Sequence, residues 1–149
     1  MKARWALPFC LLIASSGVAQ QNAAAIEDRA AHAHGGDCVR LNLQAAYAQV
    51  DGASRSYDKS DVESARAALN SVVADAERTV NCALHASRSQ KNAEIELRRL
   101  SRRMTELQRS LDLDERPYVE HAHAAVEKQH DRLLREIFGD AADHAQTNP

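Results

Sequence analysis

Two copies of the pattern Glu-x-x-His are the residues best suited to chemistry in this sequence. They are Glu120 with His123 and Glu127 with His130, one pair seven residues after the other. A carboxylate and an imidazole three residues apart on a helix reach the same metal ion, as in helical di-iron proteins. Those proteins take one pair from each of two helices, whereas both pairs here fall in one predicted helix. We therefore expect a solvated charged face, with metal binding as the alternative.

The other closely spaced histidines suit a metal ion only where the chain is flexible. His121 and His123 are two residues apart, so on a helix their side chains point in different directions. His32 and His34 have the same spacing, but they stand in an Ala-rich segment that ends in Gly35-Gly36. His32 and His34 are therefore the remaining candidate ligands in the metal-binding alternative. The default expectation for this segment is a linker without a functional site.

Nothing in the sequence points to an enzyme. No Ser, Cys or Thr stands in a predicted turn that would hold it exposed beside a general base. Aromatic residues make up 4% of the chain, so the core must consist mostly of Leu, Val and Ala. Such a core leaves little material for a ligand pocket. We predict a non-enzymatic protein without a cofactor.

Arginines are concentrated ahead of the last predicted helix, at Arg98, Arg99, Arg102, Arg103 and Arg109. This segment has the composition of a patch for an acidic partner. Glutamates interleaved at spacings of three and four are equally typical of a solvated helix. No aromatic residue stands among these arginines to stack on bases, so nucleic acid is not an expected partner.

The first 19 residues have the parts of an export signal. Lys2 and Arg4 precede an apolar run that ends at Ala14, and small residues continue to Ala19. This run is shorter than the roughly 20 residues that span a membrane. We predict a periplasmic or secreted protein, cleaved after Ala19 and not inserted in the membrane afterwards. Cleavage removes two of the 19 Lys and Arg and none of the 21 Asp and Glu, which changes the net charge from −2 to −4.

Cys38 and Cys82 are the two cysteines that remain after the signal. An even pair in an oxidising compartment predicts a disulfide. If the first helix folds back on the second through residues 58–60, residues whose numbers sum to about 120 lie opposite each other. Cys38 and Cys82 satisfy this condition, so the disulfide would tie the open end of a helical hairpin.

An apolar heptad pattern keeps one phase from Val62 to Leu111. Its two positions are occupied by Val62, Leu69, Ala76, Ala83, Gln90, Leu97, Met104 and Leu111, and by Ala65, Val72, Thr79, Ala86, Ala93, Leu100 and Leu107. Because a loop of arbitrary length would reset the phase, the pattern predicts one coiled-coil-like helix over residues 61–111. The weakest stretch is His85–Asn92, where Ser and Asn lower helix propensity.

Helix-end signals predict the rest of the organisation. A first helix is expected at 38–57, and Ser60 with Glu63 has the spacing of a capping box. Pro117 suits the first turn of a last helix that ends at Phe138, with Gly139 just beyond it. The predicted segments are a signal peptide (1–19), a flexible leader (20–36), a single helical domain (37–139) and a polar tail (140–149).

The predicted fold class is all-α. Two shorter helices, placed end to end, would each form an antiparallel hairpin with the long central helix. If the chain bends at residues 87–92, it closes instead into a compact four-helix bundle. Either architecture favours an exported helical scaffold that binds proteins, or itself, through helical surfaces. A metal-binding protein that uses histidines and a helical chaperone are the alternatives.

Two short segments resemble known families. Met104–Gln108 is similar to the L-T-x-x-Q motif of periplasmic helical chaperones related to Spy and the zinc-resistance-associated proteins, with Met in place of Leu. That resemblance implies an exported, all-helical, dimeric protein with a chaperone-like role. Residues 57–61 with Ala65, Leu69 and Val72 look like the inter-helix turn of a tetratricopeptide repeat. One such unit cannot form a solenoid, and neither resemblance assigns the chain to a family.

Overall fold

The computed structural model describes residues 17–146, with the side chains of residues 24–139. This part of the chain contains five helices and no strand: α1 (Gly17–Ala31), α2 (Gly35–Asp58), α3 (Val62–Leu84), α4 (Ser87–Ser110) and α5 (Arg116–Gln146). The predicted all-α class is confirmed. The predicted export signal lies almost wholly outside the described residues.

Helices α2 to α5 form an up-down-up-down four-helix bundle. Contacts between alternate helices show that α2 runs parallel to α4 and that α3 runs parallel to α5: Tyr47 with Glu96, Asp51 with Arg103, Arg66 with Glu115, and Asn70 with Tyr118. Sequential helices are therefore antiparallel, as short connections require. This is the compact bundle that the sequence offered as its alternative architecture.

The heptad seam predicted from the sequence forms the core of this bundle. Eleven of the fifteen seam residues are buried, and the largest fully buried ones are Leu69, Leu97, Leu100 and Met104. Val119, Val126 and Leu133 of α5 complete the core and are fully buried. Alanines occupy many of the remaining core positions, so neighbouring helices approach closely.

The single helix predicted over residues 61–111 is wrong, because α3 ends at Leu84 and α4 begins at Ser87. Ala86 has φ of −139° and ψ of 75°, outside the helical region, and the chain reverses there. The break falls at the start of the weak stretch. Helix α4 packs its apolar stripe against the same core that α3 faces. The heptad phase therefore continues across the break, although the helix itself does not. Turning back buries this stripe against α2 and α5. A single straight helix over residues 61–111, about 77 Å long, would leave part of the stripe exposed.

The start of α3 also differs from the predicted capping box. Ser60 has a left-handed backbone, with φ of 60°, and so cannot serve as an extended N-cap residue. Asp61 takes that role, and its carboxylate accepts a hydrogen bond from the Ser64 amide at 3.1 Å. This hydrogen bond lowers the pKa of Asp61. A carboxylate also suits the positive end of the helix dipole better than a hydroxyl does.

The two ends of the helical domain extend beyond the sequence prediction. Helix α1 occupies residues 17–31, where a flexible leader was expected, and Ala30 is buried against α2. An Ala-rich segment has high helix propensity, which packing against α2 then supports. Helix α5 begins at Arg116 with Pro117 in its first turn, as predicted, but it continues through Gly139 to Gln146.

Replacing Leu100 by Ala should lower the free energy of unfolding by about 2–5 kcal/mol, because Leu100 is fully buried in the core. Urea denaturation followed by circular dichroism measures this change. Arg102→Ala, two residues away on the exposed side of the same helix, is the control and should change stability by less than about 0.5 kcal/mol. Equal effects would contradict the orientation of α4.

Candidate functional site

The Cys38–Cys82 pair joins the start of α2 to the end of α3. The two Cα atoms are 5.9 Å apart, within the range of disulfide bridges. The residue numbers match the hairpin register expected from the sequence. Beside the bridge, the buried Asn42 side chain donates a hydrogen bond to the Cys38 carbonyl at 2.8 Å. The bridge lies three residues before the break between α3 and α4, so it holds the end of α3 where the chain reverses.

A row of polar side chains crosses the interface between α4 and α5. Ser101 of α4 donates its hydroxyl proton to Glu127, and the hydroxyl lies 2.6 Å from Nε2 of His123. The same His123 nitrogen is 3.6 Å from the Glu127 carboxylate. One serine thus contacts a histidine and a glutamate that are one turn apart on α5.

Two turns from Ser101 on α4, and two turns from His123 on α5, Glu94 meets His130. Their side chains are 3.3 Å apart, and both are nearly buried. Arg98 donates a hydrogen bond to the same Glu94 carboxylate. The Arg98 hydrogen bond, with a smaller contribution from His130, lowers the pKa of Glu94. Glu94 is therefore an ionised acceptor that joins α4 to α5.

These contacts account for three of the six residues of the metal alternative. His123, Glu127 and His130 face α4 and are used in the helix interface, whereas Glu120 is exposed. His32 and His34 are also exposed and lie beyond the end of α1. No three His, Cys, Asp or Glu residues within the described side chains are grouped to hold a metal ion. The metal alternative therefore rests on the sequence pattern alone.

The contact partners on α4 were missed by the sequence analysis. Ser101 and Glu94 are seven residues apart and lie beside the apolar seam, where they read as ordinary solvated positions. The α5 histidines were predicted to lie on a solvated charged face. The signal that could have found the interface is the matching seven-residue spacing of His123 and His130 on the antiparallel partner helix.

A groove between α2 and α4 holds about 210 Å³ and is smaller than typical ligand pockets. Its walls include charged residues of both helices, among them Asp51, Arg103 and Glu106. Asp51 and Arg103 form an ion pair of 3.0 Å across it. The groove is thus shallow and partly closed by its own side chains, and it does not resemble a substrate site.

The outward side of α4 carries seven exposed cationic side chains. We call it the α4 basic face, and it consists of Arg88, Lys91, Arg98, Arg99, Arg102, Arg103 and Arg109, all of them exposed. Glu106 is the acidic residue that interrupts it. At 1.5 Å per residue the 24-residue helix is about 36 Å long, so the face extends along one side of the bundle.

Ion pairs neutralise part of the α4 basic face. Arg98 and Arg99 pair with glutamates one turn earlier, and Arg103 pairs with Asp51 and Glu106. Arg102 and Arg109 form no ion pair or hydrogen bond with any side chain described. These two guanidinium groups therefore present their full charge to solvent, on a chain whose formal net charge is −2.

Comparison with known proteins adds no relative. The chain matches no family model, and no significant match was found among curated proteins or solved structures. Within residues 17–146, every helix is too short or too polar to cross a membrane.

Replacing both Cys38 and Cys82 by Ala should lower the free energy of unfolding by about 4 kcal/mol. The bridge closes a 44-residue loop in the unfolded chain, and the chain-entropy model gives this value for a loop of that length. Chemical denaturation of the oxidised protein and of the double variant measures the difference. Mass spectrometry of a non-reduced digest should also recover the two cysteine peptides linked, and recovery of both as free thiols would contradict the bridge.

Proposed function

We propose that this protein is an exported, non-enzymatic helical module whose α4 basic face binds an acidic surface of a protein partner. The observation that carries the proposal is the run of exposed cations along α4, of which Arg102 and Arg109 form no ion pair with a described side chain. Arginine binds carboxylates in a bidentate geometry, which suits recognition of aspartate and glutamate side chains.

The rest of the bundle supports a binding role rather than catalysis. The serine, histidine and glutamate side chains that come together between α4 and α5 bind one another across the helix interface. The groove beside Arg103 is too small for an ordinary substrate. A rigid bundle with one strongly charged side fits recognition by complementary charge, which raises association rates and selects partners.

Reversing the charges of Arg102 and Arg109 should abolish most of this binding. The Arg102→Glu/Arg109→Glu double variant is expected to bind a fluorescein-labelled poly-glutamate peptide at least tenfold more weakly than the unmodified protein. Fluorescence anisotropy at low and high salt measures the affinity, which should fall as salt rises because the contacts are exposed.

The matched control reverses two exposed arginines elsewhere, Arg55 on α2 and Arg135 on α5. Arg55→Glu/Arg135→Glu changes the net charge by the same amount. Because both residues lie outside the α4 basic face, this variant should reduce the affinity less than threefold. Equal losses in both double variants would mean that the peptide responds to net charge and not to the α4 basic face. Failure of the unmodified protein to bind the peptide at low salt would reject the proposal.

A further inference from the structure

One apolar side chain, Ile95, lies within the α4 basic face and is partly exposed. It follows Arg88 by seven residues and precedes Arg102 by seven, so the three lie in one row along the outer side of α4. Ile95 belongs neither to the buried core of the bundle nor to the partly buried hydrophobic residues that pack against that core. Its side chain therefore adds apolar surface to the α4 basic face.

Cations flank Ile95 at helical spacing in both directions. Lys91 comes four residues before it and Arg98 three residues after it, which is about one turn on either side. Arg88 and Arg102 lie two turns away, or about 10.5 Å along the helix axis. An apolar centre surrounded by charged side chains is the arrangement found in protein interfaces, where a polar rim surrounds an apolar core.

Most of these flanking charges are not used within the bundle. None of the ion pairs between described side chains includes Arg88, Lys91 or Arg102. Arg98 pairs with Glu94, yet its side chain is still 54% exposed. A partner can therefore contact charges on both sides of Ile95 without first breaking contacts that hold the bundle together.

The repeat of this row restricts the shape of the partner. Carboxylates that meet Arg88 and Arg102 must stand about 10.5 Å to either side of the group that contacts Ile95, all on one side of the partner. A helix meets this condition at every seventh residue. On one face of an extended strand, side chains recur at about 6.6 Å and 13 Å, which matches neither position.

We propose that the α4 basic face binds an acidic amphipathic helix lying along α4. An apolar residue of that helix would contact Ile95, with carboxylates one and two turns to either side. This inference rests on the proposed function and specifies the form of its partner. A membrane surface fits less well, because the broad apolar stripe of α4 is buried in the core and an interfacial helix needs such a stripe.

Two isomeric peptides test whether the partner is helical. Each is about 23 residues long, nearly the length of α4, carries a fluorescein and is held helical by the same lactam bridge. In the first, a central leucine has glutamates three, four and seven residues to either side. In the second, the same six glutamates are spread around the helix. By fluorescence anisotropy at low salt, the first should bind about fivefold more tightly, since only its charges match the row.

The variant Ile95→Ala tests the apolar centre of the face. It should weaken binding of the first peptide about fivefold, because less apolar surface is buried, and should leave the affinity for poly-glutamate unchanged. Alanine has a higher helix propensity than isoleucine, so α4 should stay folded, which circular dichroism checks. Leu113→Ala is the matched control, because Leu113 is 75% exposed and lies outside α4, and it should change neither affinity.

The possible outcomes separate this inference from the proposed function. Equal affinities for the two isomers, with poly-glutamate still bound, would overturn the helical partner and leave the proposed function standing. Failure of all three peptides to bind would reject both. Vesicles of phosphatidylserine and phosphatidylcholine in equal amounts complete the test: binding to them that Ile95→Ala weakens, without a preference between the isomers, would assign the face to a membrane and overturn the inference.

Discussion

Burial of one apolar seam is the constraint on which the rest of the structure depends. Helices α2, α3, α4 and α5 each have an apolar stripe along one side. All four stripes are buried together when the helices pack around a common axis. The core contains few aromatic residues and many alanines, so the helices approach closely and the bundle is narrow. The requirement to cover these stripes explains why the chain reverses at Ala86 instead of continuing as a rod.

Polar side chains at the edges of that core determine how neighbouring helices are aligned. Ser101 and Glu94 meet partners on α5 that are spaced by the same seven residues, which favours one antiparallel register over its neighbours. Because the apolar stripe of α4 faces inward, its arginines must lie on the outside. The α4 basic face is thus a direct result of the same seam that forms the core.

The heptad pattern predicts which side of a helix is buried, but it does not predict whether the helix is continuous. The heptad phase correctly identified most of the buried residues of α3 and α4, from Ala65 to Leu107, but not Asp75, Val80 or Ser101. It gave no information on direction, since a helix that turns back can present its stripe in the same phase. Ser60 shows the same limit locally, because its spacing to Glu63 matched a capping box while the backbone placed Asp61 at the cap.

Sequence alone determined the all-α class, most of the core stripe of α3 and α4, the pairing of Cys38 with Cys82 and the register of the first hairpin, because these depend on periodicity and spacing along the chain. Only the tertiary structure decided that α3 and α4 are separate, that α1 packs on α2 as a helix, and that the Asp75 side chain is buried. Those features depend on which surfaces remain uncovered after the bundle closes. The surface that remains uncovered depends on the whole arrangement of helices, and no local pattern of residues encodes it.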